Sequence, residues 1–558
     1  PIVIGVALAS APAFAQNAEE GAAAPGSEIV VTGTLIRNPN LEQSTPVNVT
    51  TSDAIELKQS NVAEEVLREL PGVVPNIGSA VNNGNGGASY VDLRGLGSTR
   101  NIDLLNGNRV APSDVNGRVD LNNIPLALIE RVDALTGAAV TTYGADAITG
   151  VVNFVTKRDF AGFEMTASGQ ITEKGDGNIF RVDATIGANF DDGRGNAVLS
   201  IGYQQADPVY QGARGFSDNT LDSYSDTFIG SGTSVPSRFS GTRPLTGGVP
   251  NVLAQYTQTG TVPNPNFDPT QPVSATNPAT LPVLALTPGG AANGGVRQVN
   301  GAGQAVGTFQ TYNFNPFNIF QTPFERFNIY GQANYEVSDA VEVYTRGMFS
   351  KNTVSTIIAP SGSFGGSVAI NLNNPNLPAA LRDQFCAFNV APVVNGVDAN
   401  GDPVSGQAAY TPRFTPAECA AAATATGRSD PNYREVTVTL NRRTPEVGPR
   451  ISNYQTTFFD YRVGARGGIT DTLDWSLEGA YGESENIQSI NGYTLQSRFR
   501  EASLSDDGVT CQSGNADCVP VNLFGPEGSI TPEAARYLSE KSTSTNRTSL
   551  AQVRGIIS

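Results

Sequence analysis

Residues 143–153, YGADAITGVVN, mark the point at which the pattern of the sequence changes. Before this stretch, helix-like and strand-like patterns are mixed in a short segment. From Phe163 onward, nearly every readable segment alternates apolar and polar residues, which is typical of a strand with one apolar face. The sequence therefore predicts a compact mixed domain followed by a much larger region of β-structure.

Eight segments of this larger region alternate with a period of two, and their connections predict the topology. The segments are 163–171, 180–190, 197–203, 327–337, 341–349, 461–469, 473–481 and 550–557. Short turns follow the second, fourth and sixth segments, whereas long stretches rich in Pro, Gly, Ser and Asn follow the third, fifth and seventh. If neighbouring strands are antiparallel, all long loops lie on one side and all tight turns on the other, as in outer-membrane barrels.

The two faces of these strands also favour a membrane barrel. The face that we assign to the outside carries aromatic residues near strand ends, where aromatic girdles lie: Phe190, Tyr203, Tyr335, Trp475 and Tyr481. The face that we assign to the lumen carries charged residues: Arg181, Asp183, Arg346, Arg462 and Arg466. Because a soluble barrel would have its apolar residues inside, the sequence predicts a mainly β fold with a transmembrane antiparallel β-barrel.

The composition argues against several classes of function. The 558 residues include 35 basic and 52 acidic ones, and the formal net charge of −17 disfavours a nucleic-acid partner. The chain has no histidine, which removes histidine-based triads, histidine-ligated zinc or haem and histidine proton shuttles. No apolar run reaches about 18 residues, so a helical membrane protein is not expected. We expect no enzyme activity, no metal and no cofactor.

Four cysteines, Cys386, Cys419, Cys511 and Cys518, lie in polar segments without Cys-x-x-Cys spacing. This pattern favours two disulfides in an oxidising compartment over a metal site. Cys511 and Cys518 are the predicted local pair, and the pairing of Cys386 and Cys419 is left open.

The N-terminus predicts export. Residues 2–9 are apolar, and Ala13-Phe14-Ala15 has the form of a signal-peptidase site, so we expect residues 1–15 to be a signal-peptide remnant cleaved after Ala15. The alternative is a buried strand. Because the chain opens at Pro1 without a basic start, we expect it to be truncated here. Residues 16–44 have the composition of a flexible linker.

Within this linker, Glu28–Gly33 (EIVVTG) is an isolated run of β-forming residues. Such a strand can add itself to the sheet edge of another protein through main-chain hydrogen bonds. It can equally be the first strand of the domain that follows. The sequence alone leaves both interpretations open.

The mixed domain carries short elements. Helices are expected at 52–57 and 61–70, short strands at 90–93, 102–105 and 109–110, and a helix or strand at 126–135. Asn106-Gly107 has the composition of a tight hairpin turn. Residues 82–87 (NNGNGG) form a Gly/Asn loop, and their partial match to a dinucleotide-binding pattern lacks the third glycine, the preceding strand and the following helix.

Together these features resemble the TonB-dependent outer-membrane receptors. Residues 91–97 (VDLRGLG), 129–137 (IERVDALTG) and 143–153 are similar to motifs of their plug domain. The matching residues are Arg94, Gly95, Asn106, Gly107, Arg109, Glu130, Arg131, Gly137, Tyr143, Gly144, Asp146, Gly150 and Asn153. The resemblance implies a TonB box formed by Glu28, Ile29, Val30, Val31, Thr32 and Gly33, an α+β plug at 45–157 and a partial barrel with long extracellular loops at 158–558. Such barrels have about 22 strands, so we expect this chain, with about eight, to be the N-terminal part of a longer protein.

The resemblance also implies a function in the bacterial outer membrane. A protein of this kind binds a scarce ligand outside the cell and imports it to the periplasm. Its partners would be TonB with its inner-membrane proton-driven motor complex, outer-membrane lipid, and a small-molecule, siderophore or oligosaccharide ligand. The ligand would contact the long loops and the plug apices, with Asn82, Asn83, Asn85 and Arg100 as candidates. Because the chain has no phosphate-binding loop, the 28–33 strand would transmit work delivered from outside the chain.

Three other functions compete with this one. A passive porin needs neither a mobile strand nor a preceding domain, and a surface adhesin would use the long loops without transport. A secreted hydrolase could use paired carboxylates such as Asp191 and Asp192, but these lie in a predicted tight turn and are better explained as solvated turn residues.

Overall fold

The computed structural model describes residues 2–7, 47–52, 54–55, 63–75, 86–137, 140–240, 245–246, 249–250, 256–274, 277–286, 297–301, 303, 305–306, 310–386, 394–397, 400, 403–406, 414–470 and 473–558. The 28–33 segment, the expected cleavage site after Ala15, and Asn82, Asn83 and Asn85 lie outside these residues, so the expectations for them stay predictions.

The strands are β1 (Ile2–Ala7), β2 (Val47–Thr51), β3 (Asn101–Leu105), β4 (Asn108–Arg109), β5 (Ile129–Thr136), β6 (Gly150–Thr156), β7 (Gly162–Ile171), β8 (Ile179–Phe190), β9 (Gly195–Ala206), β10 (Val209–Tyr210), β11 (Arg238–Ser240), β12 (Leu245–Thr246), β13 (Val249–Pro250), β14 (Tyr256–Pro263), β15 (Thr280–Leu286), β16 (Arg297–Val299), β17 (Ala305–Val306), β18 (Ile319–Gln321), β19 (Phe324–Ser338), β20 (Val341–Ile358), β21 (Gly362–Asn371), β22 (Val394–Val397), β23 (Pro403–Gly406), β24 (Glu435–Arg443), β25 (Arg450–Thr470), β26 (Leu473–Asn491) and β27 (Ser542–Ile557). The helices are α1 (Ala63–Leu67), α2 (Val140–Tyr143), α3 (Ala379–Cys386), α4 (Pro416–Ala422), α5 (Gln496–Ala502) and α6 (Pro532–Leu538). None of the helices in the described part of the chain has the length and apolar character that crossing a bilayer needs.

The mixed domain, which we call the plug after the resemblance, is built on a five-stranded sheet in the order β2-β5-β6-β3-β4. Strands β3 and β6 are parallel, and the other neighbours are antiparallel. One face of this sheet packs against α1 and the 3-10 turns at 121–128, with Leu67, Leu121, Val152 and Phe154 at the centre of the core. The α+β architecture predicted for this part of the chain is confirmed.

The large sheet contains all eight strands that alternation predicts, in the order β7-β8-β9-β19-β20-β25-β26-β27. Every neighbouring pair is antiparallel. The β8–β9, β19–β20 and β25–β26 connections therefore lie at one end of the sheet. The seven-residue β7–β8 connection and the described parts of residues 207–323, 359–449 and 492–541 lie at the other. The mainly β fold class and this sorting of the connections are as the sequence predicts.

The segment predicted to be a signal peptide is partly described. Ile2–Ala7 forms β1, which pairs antiparallel with β7 at the edge of the large sheet. Its run of aliphatic residues favours a strand, and β7 offers it an edge whose backbone groups would otherwise be unpaired. This arrangement corresponds to the alternative of a strand, and cleavage after Ala15 stays a prediction.

The two faces of the large sheet differ as expected. Phe190, Tyr203 and Tyr481 are exposed on one face, and Tyr335 and Trp475 are half-buried on the same face by strand alternation. On the other face Arg346 and Arg462 are only 5% and 3% exposed, because the plug packs against them. Arg181, Asp183 and Arg466 lie on this inner face too and are less deeply buried.

The described residues of the three long connections together form a second folded unit, which we call the cap (the described residues within 207–323, 359–449 and 492–541). Each connection contributes buried residues to one hydrophobic core, including Phe239, Leu440 and Phe499. A five-stranded sheet in the order β17-β16-β11-β24-β21 crosses between the first two connections. The sequence interpretation of these connections simply as loops is therefore incomplete.

Two smaller expectations need correction. Residues 90–93 are not a strand, since only Leu93 forms a single bridge, to Val73, and the backbone of Ser89 bonds instead to Leu121. Residues 126–135 resolve into a 3-10 turn at Leu126–Leu128 followed by β5, because Ile129–Thr136 pairs with both β2 and β6.

Candidate functional site: the plug and the inner face of the sheet

The Asn106-Gly107 turn is held by the neighbouring strand. Asn106 and Gly107 have φ values of +52° and +73°, as the tight turn between β3 and β4 requires. The Asn106 Oδ1 atom accepts a hydrogen bond from the Thr156 amide at 2.9 Å, and Asn153 Oδ1 accepts one from the Gly107 amide at 2.8 Å. Three residues of the plug motif are thus brought together, and they fix the turn against β6.

Arg109 organises a second group of motif residues. Its guanidinium donates to Asp146 Oδ2 at 3.1 Å and to the Tyr143 carbonyl at 2.9 Å. Gly144 has φ +98°, and a Cβ atom there would lie 3.3 Å from Arg109 Nη2. Arg109 of β4 therefore binds the start of the 143–153 stretch, through the Tyr143 main chain and the Asp146 side chain, next to Gly144.

The remaining motif residues have local roles. Arg94 and Gly95 both have positive φ, and the Arg94 guanidinium donates to the Thr136 carbonyl at 3.2 Å. Gly150 is required sterically, since a Cβ atom there would lie 2.0 Å from the Leu135 carbonyl oxygen. Gly137 donates its amide to the Thr149 carbonyl, and Arg131 lies between Glu130 and Asp133 at 3.7 and 3.2 Å. These contacts stabilise the plug itself.

The inner face of the sheet binds the plug through buried ion pairs. Arg346 on β20 and Asp460 on β25 are 2.6 Å apart. Arg346 also donates to the Leu105 carbonyl at 3.2 Å, while Asp460 accepts from the Ala111 amide at 3.4 Å. Because a buried charge is costly unless it is paired and hydrogen-bonded, this pair fixes how the plug sits against the sheet.

A second buried ion pair includes Arg462, two residues after Asp460 on β25, and also binds the plug. Arg462 and Glu478 are 2.9 Å apart, and Arg462 donates to the Arg109 carbonyl at 3.2 Å. Two residues of β27 add further bonds to the plug. Arg554 donates to Asn108 Oδ1 at 3.0 Å, and the Thr548 hydroxyl donates to the Pro112 carbonyl. The β3–β4 hairpin and the residues after it thus contact four adjacent strands, β20, β25, β26 and β27, directly or through this pair.

Sequence analysis identified the arginines of these pairs but missed Asp460 and Glu478. Both carboxylates lie on the inner face by alternation. Asp460 is two residues before Arg462, and Glu478 lies diagonally across from Arg462, opposite Gly464 on the next strand. The pattern that could have identified them is an acidic residue in the same inward register as an arginine on the same or the neighbouring strand.

The C-terminal end of the plug is attached to β9 and β19. Gln332 accepts from Thr156 Oγ1 at 3.0 Å and donates to the Lys157 carbonyl at 2.6 Å. Asn196 donates to the Phe160 carbonyl at 2.9 Å. The junction that leads from the plug into β7 is therefore held by the wall of the sheet.

The candidate ligand-facing residues are only partly described. Gly86 and Gly87, at the end of the Gly/Asn loop, have φ values of +59° and +83°. Added Cβ atoms would lie 2.7 Å from Tyr454 and 2.3 Å from Val354, so these two glycines lie close to the inner face of the sheet. Arg100 is exposed at the start of β3 and donates to the Leu96 carbonyl, and no described contact joins it to Gly86 or Gly87.

Four acidic residues among the described residues of the plug are buried: Glu64, Asp103, Asp120 and Asp133. Burial raises the pKa of Asp103 on β3 to about 8. Burial also raises the pKa of Asp120. The amides of Ser89 and Asn122 donate hydrogen bonds to this carboxylate, which favour its charged form and oppose the rise. Asp103 is thus a neutral acid at moderate pH in the plug core.

Three of the four cysteines are disulfide-bonded in the described part of the chain. Cys511 and Cys518 form a disulfide in the cap, which is the local pair that the sequence favours. Cys419 is also disulfide-bonded, and the side chain of Cys386 lies outside the described part. Within the described ranges, no group of three or more Cys, Asp or Glu residues is arranged to hold a metal ion.

Comparison with solved structures finds matches of low sequence identity and low structural overlap. The siderophore receptor PirA from Pseudomonas aeruginosa is 12% identical, over 81% of this chain and 55% of that chain, with a TM-score of 0.31. A mutant of the ferric enterobactin receptor PfeA from Pseudomonas aeruginosa, in complex with enterobactin, is 13% identical over 93% of this chain and 58% of that one, with a TM-score of 0.33. PirA from Acinetobacter baumannii is 14% identical over 80% and 55%, with a TM-score of 0.29. The chain thus spans little more than half the length of these structures.

Comparison with protein families identifies the first domain directly. Residues 39–151 match the family described as TonB-dependent Receptor Plug Domain. This range contains the Asn106-Gly107 turn, Arg109 and the residues bound to it, and most of the plug sheet. The chain therefore carries a TonB-dependent receptor plug domain.

Proposed function

We propose that this chain is the plug and part of the membrane-spanning barrel of an energy-coupled outer-membrane receptor. It would bind a scarce ligand outside the cell and import it to the periplasm. In this proposal residues 1–15 are removed on export, 16–44 form a linker with a TonB box at 28–33, 45–157 form the plug and 158–558 form part of the barrel and its extracellular loops. Its partners are TonB with its motor complex, outer-membrane lipid and the ligand.

The observation that carries this proposal is the plug bound to the inner face of an amphipathic sheet. The exposed face of the large sheet is apolar at Leu199, Ile201 and Tyr203, as a lipid-facing surface needs to be. The opposite face is charged and packs directly on the plug through Arg346, Asp460 and Arg462. A plug held in this way blocks the lumen, so passage of a ligand requires work on the plug.

The structure also favours this proposal over a passive porin. Direct hydrogen bonds attach the plug to the sheet at the β3–β4 hairpin and again at Thr156 and Lys157. A passive channel would gain nothing from filling its lumen with a bonded domain. No catalytic role is proposed for any residue, and Asp191 and Asp192 lie in a turn with φ near +55°, where Asp191 binds Arg194 and Tyr335.

The test separates coupling from binding. A deletion strain is first grown on a panel of scarce iron and carbon sources to identify the imported ligand. Val30→Pro then removes a backbone donor and fixes φ in the 28–33 segment, both of which oppose strand addition. We expect whole-cell ligand binding to remain and uptake to be lost.

The control for this experiment is Ile29→Ala, which keeps the main-chain donors and should reduce uptake less. Deletion of residues 28–33 should reproduce the proline phenotype. Wild-type uptake by the proline variant would mean that the segment is an ordinary first strand and would favour the passive porin. Binding without uptake even in the wild-type strain would favour an adhesin.

A further inference from the structure

A small cavity separates the plug from part of the inner face of the sheet. It has a volume of about 30 Å³ and lies between the 3-10 turns at 121–128 and strands β8, β9 and β19. Asn122 and Ile124 line it from the plug, and Arg181 and Arg326 line it from the sheet. A buried water molecule needs roughly 10–15 Å³, so the cavity has room for a water molecule or a monatomic ion. It is too small for an organic ligand.

Arg326 brings a buried positive charge to this cavity. It lies on β19, its side chain and backbone are together only 4% exposed, and its Cζ atom is 4.8 Å from the centre of the Phe324 ring. The Nε and Nη2 atoms of Arg326 have no hydrogen-bond partner among the described residues. Burying a guanidinium group without hydrogen bonds is costly, and one aromatic contact offsets only part of that cost. Arg326 therefore requires an acceptor in the cavity.

The acidic residues around Arg326 are engaged elsewhere. Asp183 lines the cavity and forms an ion pair with Arg181. Asp120 attracts Arg326 electrostatically, and Glu65 does so more weakly, but no described hydrogen bond or ion pair joins either carboxylate to Arg326. The Asp120 carboxylate accepts instead from two backbone amides of the plug, and burial raises its pKa. Arg326 is thus a buried cation that lacks a counter-charge in direct contact among the described residues.

A small anion suits this cavity better than a water molecule or a cation does. An anion accepts hydrogen bonds from Arg326 Nε and Nη2 and also neutralises the charge, whereas a water molecule supplies the acceptor alone. A cation would be repelled by Arg326 at short range. Asn328 also lines the cavity, and its Oδ1 atom has no described partner. A half-turn of this amide would present the Nδ2 donors to an anion.

We propose that this cavity binds one monatomic halide ion, such as chloride, which accepts hydrogen bonds from the Arg326 guanidinium between the sheet and the plug turn at Asn122. The ion stabilises the packing of the plug on β8, β9 and β19, in addition to the ion pairs that bind it on β20, β25 and β26. The inference goes beyond the proposed function, because the halide is a resident ion and not the imported ligand.

The test is hydrogen–deuterium exchange of the amides of residues 121–124 in the purified full-length protein. These amides are hydrogen-bonded within the plug, so they exchange when the turn opens. Sodium chloride is replaced by sodium gluconate at constant ionic strength, because gluconate is too large for the cavity. If opening of the turn releases the ion, chloride at ten times its Kd should slow this exchange about elevenfold relative to gluconate. Bromide should act in the same way.

Arg326→Gln removes the charge and should abolish the difference between chloride and gluconate. The matched control is Arg547→Gln, which makes the same change on β27 at a side chain that is 63% exposed and should keep the difference. Equal exchange of the wild-type protein in the two salts would overturn the proposal, and so would a chloride effect that survives Arg326→Gln.

A second measurement decides the matter if Arg326→Gln does not fold. Crystals of the wild-type protein are grown in sodium bromide, and the anomalous scattering of bromide is measured. A peak within hydrogen-bond distance of the Arg326 guanidinium supports the site, whereas bromide peaks only at other places reject it. Neither measurement depends on which ligand the protein imports, so rejection of the halide site leaves the receptor proposal intact.

Discussion

At the scale of single residues, glycines decide how closely the plug approaches the sheet. Gly87 has φ +83°, and a Cβ atom there would lie 2.3 Å from the Val354 side chain on β20. Gly107 has a similar φ of +73° but nothing within 4 Å. Gly107 is therefore required only for its backbone conformation, whereas Gly87 is required both for its conformation and for its close approach to β20.

We expect Gly87→Ala to destabilise the plug more than Gly107→Ala does. Both substitutions place a side chain at positive φ, which costs about 1–2 kcal/mol, and only the first also overpacks the interface, which adds about 1–3 kcal/mol. Chemical denaturation of the full-length protein in detergent measures the difference. In a Val354→Ala background, which removes the methyl groups that lie 2.3 and 2.9 Å from the added Cβ atom, Gly87→Ala should cost less than it does in the wild type. Equal losses at the two glycines would show that the loop does not approach Val354 this closely.

At the scale of elements, alternation predicts the parts of the strands that have one apolar face and misses the ends of the strands. The predicted segment 461–469 is the second half of β25, which begins at Arg450. Residues 450–457 (RISNYQTT) are mostly polar on both faces, so no period of two is visible there. Main-chain pairing with β20 and β26 extends the strand without any help from the side-chain pattern.

The candidate site shows the same limit. The Asn106-Gly107 turn could be predicted because its chemistry is local. The cap core could not, because Phe239, Leu440 and Phe499 are far apart in sequence and come from short or irregular elements. Asp460 and Glu478 could not be recognised as partners of the two arginines, because alternation alone does not show which strands are neighbours.

Strand β3 carries a pH-sensitive element of the plug. Asp103 lies on β3 opposite Val152 of β6, and its Oδ1 atom has no hydrogen-bond partner among the described residues. In the unfolded chain its carboxyl group ionises near pH 3.8, whereas in the folded plug it stays protonated until about pH 8. Between these values the unfolded state releases a proton that the folded state keeps. Rising pH therefore destabilises the folded plug across this window.

We expect the stability of β3 against local opening to fall as pH rises from 5 to 8, by at most about 1.4 kcal/mol per pH unit. Hydrogen–deuterium exchange of the β3 amides, corrected for the intrinsic dependence on pH, measures this free energy. Asp103→Asn keeps the shape of the side chain without the titration, so its profile should be flat. A flat profile in the wild-type protein would mean that Asp103 is solvated.

At the scale of the whole molecule, the plug packs against the inner face of the large sheet and is hydrogen-bonded to it. Long antiparallel ladders pair the eight strands from β7 to β27, and the plug is bonded to the inner face at several separate places. The cap lies at the end of the sheet from which the long connections leave. Force applied before β2 would act on a strand at the edge of the plug sheet, while the opposite edge, β4, is bonded to the wall. This order favours loosening of the plug from its N-terminal side first.

The large sheet should determine how the full-length protein responds to SDS and to heat. Full-length protein extracted from an outer membrane should resist SDS at room temperature and migrate faster before boiling than after it, because a closed barrel leaves no unpaired strand edge from which to unfold. Leu199 is 42% exposed in the middle of the apolar face, so Leu199→Arg should lower the temperature of this conversion, since a cation in lipid costs about 2–4 kcal/mol. Phe216→Arg changes a residue that is 77% exposed in the cap and should leave that temperature unchanged. Mobility that does not change on heating, together with a helical circular dichroism spectrum, would refute the barrel, and equal effects of the two substitutions would refute the lipid-facing assignment of Leu199.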